Sequence, residues 1–286
     1  MTGPVTVPSV ARRKRSRGDE PIVVVTAYDE PFARFADKAG VDVLLVGDSV
    51  ADNVLGYENT LQVDVAQLAH HVGAVARARP RALVVADLPW MSYHLDPLDA
   101  VRNAATLVRA GAKAVKLEGG RRRLPVIHAL LDAEIPVMGH LGLTPQSVLV
   151  FGEFRVQGRA PEAALALELD AKALDAAGVF AVVLEGVPDL LAERITESVE
   201  IPTIGIGAGP HTDGQVLVIH DLLGMSARPP AKFVRRYAEL GELASDAIGR
   251  FAADVRSGSY PSSDESYHAS GELAQALEEV HRDDTR

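Results

Sequence analysis

Eight short apolar runs recur along the chain, and each stops at a glycine or a polar residue. The clearest is Val41-Asp-Val-Leu-Leu-Val-Gly-Asp-Ser49, in which β-branched residues and Leu give way to Gly47, Asp48 and Ser49. A continuous apolar run of this kind reads as a strand covered on both faces, as in parallel sheets. The others cover 22–27, 82–86 running into Asp87, Ala114-Val-Lys-Leu-Glu118, 136–139 running into His140, Ala181-Val-Val-Leu-Glu185, Pro202-Thr-Ile-Gly-Ile-Gly207 and 215–219. Between them lie helical patterns at about 30–39, 63–78, 97–111, 121–132, 161–177, 188–198 and 231–253. No G-x-G-x-x-G turn follows the first strand, so the alternation predicts an α/β fold of the (β/α)8 TIM-barrel type, with an extra C-terminal helical segment.

The predicted organisation has three parts. Residues 1–20 form a basic leader, mobile or docked on the surface, that carries Arg12-Arg-Lys-Arg-Ser-Arg17. Residues 21–253 form the catalytic barrel. Residues 254–286 form a tail whose short helix places Leu273, Leu277 and Val280 on one face, packed on the barrel or on a neighbouring subunit. The loops at 50–62 and 144–160 are long enough to be lids.

Composition narrows the partners. Of the 286 residues 47% are hydrophobic, ample for a large core, and the net charge of −10 argues against nucleic acid as the main partner. No apolar stretch reaches the ~18 residues of a membrane span. There is no cysteine, so thiolate chemistry is excluded. A cytoplasmic protein with no membrane or nucleic-acid partner is the expectation.

In α/β folds ligands bind beyond the carboxyl ends of the strands, and buried charges there are costly unless used. Asp48, Asp87 and Glu118 end three consecutive runs. Neighbouring strands lie about 4.8 Å apart, so these carboxylates would repel one another unless a cation sits between them. Hard oxygen ligands point to Mg2+ or a similar ion. The alternative is that each merely caps a following helix. Lys116 lies two residues before Glu118 and faces the same way; it either binds a substrate carboxylate, forms a Schiff base, or pairs with a neighbouring acid. Glu185 ends a run well round the barrel, as a base or as the partner of a loop arginine. His140 is a possible pocket residue or a packed core histidine. Gly205-Ile-Gly-Ala-Gly209 weakly suggests a phosphate cradle. The adjacent His70 and His71 diverge around a helix and are poor ligands.

These motifs, taken in order, resemble the ketopantoate hydroxymethyltransferase family. The resemblance is carried by Thr26-Ala-Tyr28, Val46-Gly-Asp-Ser49 with Leu55-Gly-Tyr57, Ala86-Asp-Leu-Pro89, Val115-Lys-Leu-Glu118, Gly139-His-Leu-Gly-Leu-Thr-Pro145, Gln157-Gly158, Leu184-Glu-Gly-Val-Pro188, Ile204-Gly-Ile-Gly-Ala-Gly209 and His220-Asp-Leu-Leu-Gly224. It implies that Asp48, Asp87 and Glu118 bind magnesium, that Ser49 and Lys116 hold a 2-oxo acid with Asp48 and Asp87, and that Glu185 is the catalytic base. It further implies transfer of a one-carbon unit from 5,10-methylenetetrahydrofolate to 3-methyl-2-oxobutanoate through an enolate, giving 2-dehydropantoate for pantothenate biosynthesis, in a homodecamer. One departure is Val50-Ala-Asp-Asn53, where the family more often has an apolar run. The rival readings are a Schiff-base aldolase using Lys116, a metal-dependent lyase acting on another 2-oxo acid, and a non-catalytic barrel that binds a 2-oxo acid. Lyases of the isocitrate lyase type usually need a cysteine that this chain lacks.

Overall fold

The eight runs form eight parallel strands whose first and last members pair, so the sheet closes in the order β1 to β8. The computed structural model describes residues 3–152, 155–226 and 228–283. The leader, lid and tail expectations therefore fall outside it at 1–2, 153–154 and 284–286. The chain begins with α1 (Val7–Ala11), β1 (Ile22–Thr26), α2 (Glu30–Lys38), β2 (Val43–Val46), α3 (Val50–Asn53), α4 (Val65–Arg77) and β3 (Leu83–Asp87). It continues through α5 (Pro97–Ala110), β4 (Ala114–Glu118), α6 (Leu124–Asp132), β5 (Val137–Gly142), α7 (Val148–Phe151), α8 (Pro161–Ala177) and β6 (Ala181–Glu185). It ends with α9 (Asp189–Ser198), β7 (Thr203–Ile206), β8 (Gly214–Leu217), α10 (Ile219–Leu222), α11 (Leu240–Ser257) and α12 (Gly271–Asp283).

Alternation along each strand separates two apolar layers. Leu44, Val46, Val84, Val115, Leu117, Val182 and Leu184 face outward and pack with the helices. Val24, Val43, Leu45, Leu83, Val85, Ala114, Met138, Ala181, Val183 and Ile204 fill the barrel interior. The same inward series, continued two residues at a time, reaches Asp87, Lys116 and Glu118, His140, and Glu185. Both faces are apolar, so the sequence shows no alternation until the strand end, where the inward position turns polar.

Residues 7–20 lie docked against the barrel. Val10 is buried with the interior residues at the amino-terminal mouth of the barrel. Lys14 Nζ lies 2.9 Å from Asp213 Oδ2 and donates to Thr196 O at 2.8 Å. Asp213 Oδ1 accepts from Arg15 N at 2.9 Å, and its Oδ2 accepts from Thr203 N at 2.9 Å. The basic cluster thus neutralises and caps one buried carboxylate. Lys14→Met is expected to lower the unfolding free energy by about 3–5 kcal/mol, because the buried Asp213 carboxylate loses its cation. Urea denaturation measures this, and a loss below about 1 kcal/mol would show that the pair does not hold the leader.

The chain divides into two compact units, Met1–Tyr237 and Ala238–Arg286. The helix expected from residue 231 starts only at Leu240, in the second unit. Upstream, Tyr237 N donates to Leu222 O at 2.8 Å, which takes that backbone group out of any helical ladder. On α11 and α12, Leu243, Ile248, Phe251, Leu273, Leu277 and Val280 are exposed. The 50–62 stretch, expected as a loop, holds α3 and a 3-10 turn at Thr60–Gln62. Among the described residues no helix is long and apolar enough to cross a membrane.

Candidate active site at the carboxyl ends of the strands

The site starts at the turn that leaves β2. A side chain at Gly47 would bring its Cβ within 2.9 Å of Ser49 Oγ and 3.4 Å of Asp87 Oδ2, so only glycine lets the turn close against β3. Asp48 N then donates to Asp87 Oδ2 at 3.0 Å. Ser49 Oγ lies 2.8 Å from Tyr28 OH, which fixes it from the end of β1. His71, a poor ligand by its position, instead holds this corner through Nδ1, 2.7 Å from Tyr28 O.

Register sets the next layer. Asp87 pairs with Lys116, and Glu118 with His140. Lys116 Nζ lies 3.1 Å from Asp87 Oδ1 and 3.2 Å from His140 Nδ1. His140 Nδ1 is 3.4 Å from Glu118 Oε1, and its Nε2 is 3.1 Å from Glu185 Oε2. The Nε2 contact is at ion-pair distance but outside hydrogen-bonding geometry. His140 therefore stands between the acid cluster and Glu185. Burial and the Lys116 charge oppose its protonation, but the Glu118 and Glu185 carboxylates beside it outweigh them and lift it to about 9. Lys116 is likewise raised: burial opposes its charge, but Asp87, Glu118 and Asp48 together outweigh that. All seven sequence-predicted residues thus lie at this rim, six of them inside it and Ser49 bonded to its edge.

Two residues that sequence reasoning passed over complete the layer. Gly142 leaves β5 with φ of +91°, and a Cβ there would meet Glu185 O at 2.3 Å. The following turn brings Gln146 over the acids. Its Nε2 donates to Asp48 Oδ2 at 2.8 Å and its N to Glu118 Oε2 at 3.0 Å. Tyr93 OH, from the loop after β3, donates to Gln146 Oε1 at 2.6 Å. The only signal for them in the sequence is that Gln146 follows directly on the Gly139–Pro145 motif.

The three strand-end acids are not helix caps. Helix caps are supplied by Asp29, Asp64 and Asp96, whose carboxylates accept from backbone N–H groups of the first turn. Neither Asp48, Asp87 nor Glu118 caps a helix. Asp48 is held well above the ordinary carboxylate range, by burial first and then by Asp87 and Glu118. Asp87 Oδ1 is buried and makes no hydrogen bond. Among the described residues no three His, Cys, Asp or Glu side chains already converge on a cation position; Glu118 faces Gln146 and His140. Mutually repelling hard oxygens, with Lys116 Nζ beside one of them at 3.1 Å, are nevertheless a donor set suited to a divalent cation.

The glycine run after β7 is not an open cradle. A Cβ at Gly207 would meet the Phe233 ring at 2.6 Å, and one at Gly209 would meet Asp189 Cβ at 2.5 Å. These glycines permit close packing instead.

A closed parallel barrel with acids, a lysine and a histidine gathered inside the carboxyl ends of its strands is the layout of a (β/α)8-barrel enzyme. The sequence profile of the ketopantoate hydroxymethyltransferase family matches residues 4–263. The chain is 54% identical over 268 residues to a 3-methyl-2-oxobutanoate hydroxymethyltransferase of Koribacter versatilis, covering 93% of this chain and 90% of that protein. It is 54% identical over 246 residues to one of Pyrobaculum calidifontis, covering 86% and 92%. The chain belongs to the ketopantoate hydroxymethyltransferase family. Its fold is shared more widely. A phosphonopyruvate hydrolase solved with oxalate and Mg++ superposes with a TM-score of 0.58 at 14% identity, covering 98% of this chain and 97% of that one. A 2,3-dimethylmalate lyase gives 0.54 at 18% identity, covering 98% of each.

Proposed function

We infer that the chain transfers a hydroxymethyl group from 5,10-methylenetetrahydrofolate to 3-methyl-2-oxobutanoate, with Mg2+ as the metal, and so forms 2-dehydropantoate for pantothenate and coenzyme A biosynthesis in the cytoplasm. Family membership supports the transfer and its substrate. The observation that carries the mechanism is the split of the rim by His140, with Asp48, Asp87, Glu118 and Lys116 on one side and Glu185 on the other. The exposed apolar residues of α11 and α12 support assembly as a homo-oligomer, a decamer in the family pattern.

Asp48, Asp87 and Glu118 would hold the cation, which when bound polarises a keto oxygen and acidifies the neighbouring C–H. Lys116 offers its ammonium to the substrate carboxylate, and Ser49, oriented by Tyr28, hydrogen-bonds the same substrate. Glu185 takes the proton from C3, and the electron pair of that bond becomes available at carbon. His140, with Nε2 3.1 Å from Glu185 Oε2, aims the carboxylate at the reacting carbon. The carbon attacks the methylene group of the donor as one of its two C–N bonds breaks, water displaces the second nitrogen and supplies the hydroxyl oxygen, and the proton held by Glu185 and one proton of the water go to the two nitrogens of the departing tetrahydrofolate. A Schiff base at Lys116 is disfavoured, since three carboxylates hold its amine protonated and without a free electron pair.

Exchange of the C3 proton of 3-methyl-2-oxobutanoate in D2O, followed by NMR without folate, tests this reading. Exchange that needs Mg2+ and stops on EDTA is the expected result. Exchange indifferent to EDTA, or borohydride trapping of substrate on Lys116, would replace it with the aldolase reading.

A further inference from the structure

Gln146 is 5% exposed, and each of its side-chain polar atoms has a partner. Its Nε2 donates to Asp48 Oδ2 at 2.8 Å and to Leu88 O at 3.0 Å. Leu88 O can only accept, so the amide can face just one way. Its Oε1 then accepts from Tyr93 OH at 2.6 Å, and Tyr93 OH in turn accepts from Glu118 N at 3.2 Å. The hydrogen bonds therefore run in one direction: Glu118 backbone, Tyr93 hydroxyl, Gln146 amide, Asp48 carboxylate. Gln146 N closes the circuit on Glu118 Oε2 at 3.0 Å. This ring of buried groups ties together the ends of β2 and β4 and the loops after β3 and β5.

A neutral amide is the right group for this task. Asp48 already faces Asp87 and Glu118, and the amide hydrogen bond lowers the cost of its charge without adding a cation that would compete for the site. We propose that Gln146 is a positioning residue that fixes Oδ2 of Asp48 and leaves the other carboxylate oxygen to face a divalent cation, so that docking of the loop after β5 and completion of the cation site are one event. This rests on the reading of Asp48 as a cation ligand. Partners of this kind typically change metal affinity by about 10–100-fold when removed.

The test titrates Mg2+ into the metal-free full chain by calorimetry, with thermal unfolding and kcat at rising Mg2+ measured alongside. Gln146→Met keeps the side-chain length and removes the donor. It is expected to weaken Mg2+ binding by about 10–100-fold, while saturating Mg2+ restores most of kcat, which a merely structural defect would not allow. Tyr93→Phe, which removes the donor to the amide oxygen and so loosens the amide, is expected to give a smaller loss. The double variant should lose less than the product of the two single losses, because both act on one hydrogen bond. Should Gln146→Met fail to fold, Tyr93→Phe carries the test alone, and unchanged Mg2+ affinity there overturns the role. Wild-type affinity in a folded Gln146→Met protein, or fully multiplicative losses, would likewise overturn it while leaving Asp48 as a ligand. A wild-type chain that binds no Mg2+ at all removes the cation-site reading itself.

Discussion

Glu185→Gln is expected to bind Mg2+ and 3-methyl-2-oxobutanoate as the wild type does, and to lose C3–H exchange by about 10²–10⁴-fold, the usual contribution of a positioned base. The amide matches the carboxylate in shape and keeps an oxygen for His140 Nε2, but it takes up no proton at neutral pH. Because Glu185 lies on the far side of His140 from the acid cluster, the change leaves Asp48, Asp87 and Lys116 untouched. NMR exchange and calorimetry on the same sample separate the two properties. Exchange at the wild-type rate would put the base elsewhere, and a parallel loss of Mg2+ binding would make Glu185 part of the cation site.

Lys116→Met carries a stability effect as large as that expected of Lys14→Met, and it falls inside the site. The ammonium is buried and is the one permanent cation in contact with Asp87. Removing one partner of such a pair costs about 3–5 kcal/mol, most of it the cost of a carboxylate left without compensation. Thermal unfolding of the metal-free variant measures this, and Mg2+ is expected to recover part of it while KM for the oxo acid stays raised. An unchanged melting temperature and KM would together dismiss the proposed role. The sign of the pH dependence follows from Asp48, whose carboxyl lies well above its ordinary range because of burial and then Asp87 and Glu118. Between the ordinary and the raised value, the native state keeps a proton that the unfolded chain has released. Stability of the metal-free protein therefore falls as pH rises through that window, and Lys116→Met steepens the fall. Mg2+ binding opposes it, since the cation needs the ionised carboxylate.

The strand-end residues were legible because a parallel barrel imposes a simple grammar. Each strand is covered on both faces and so reads as an unbroken apolar run, and its inward position at the carboxyl end is the first that can be polar without entering the core. That is why Asp87, Lys116, Glu118, His140 and Glu185 stand out by position alone, and Asp48 by following directly on the run that ends at Gly47. The leader was half legible. Its basic cluster is plain, but Lys14 meets Thr196 O and Asp213, and nothing near residue 14 announces either partner. The late start of α11 was hidden for a related reason, since a backbone hydrogen bond from Tyr237 to Leu222, not a local breaker, keeps the preceding stretch out of the helix.

The sequence by itself determined the number and order of the strands, their parallel closure, and which side chains could be polar at the rim, because these depend on periodicity within a few residues. Only the tertiary structure decided which of those side chains meet. The pairing of Asp87 with Lys116 and of Glu118 with His140 depends on the stagger between strands, which no local pattern encodes. The bond from Gln146 to Asp48 spans 98 residues and exists because two loops converge over one barrel mouth. A buried amide and phenol are recognisable as parts of the site only once their partners are in place, since hydrogen bonding, unlike burial, is a property of pairs.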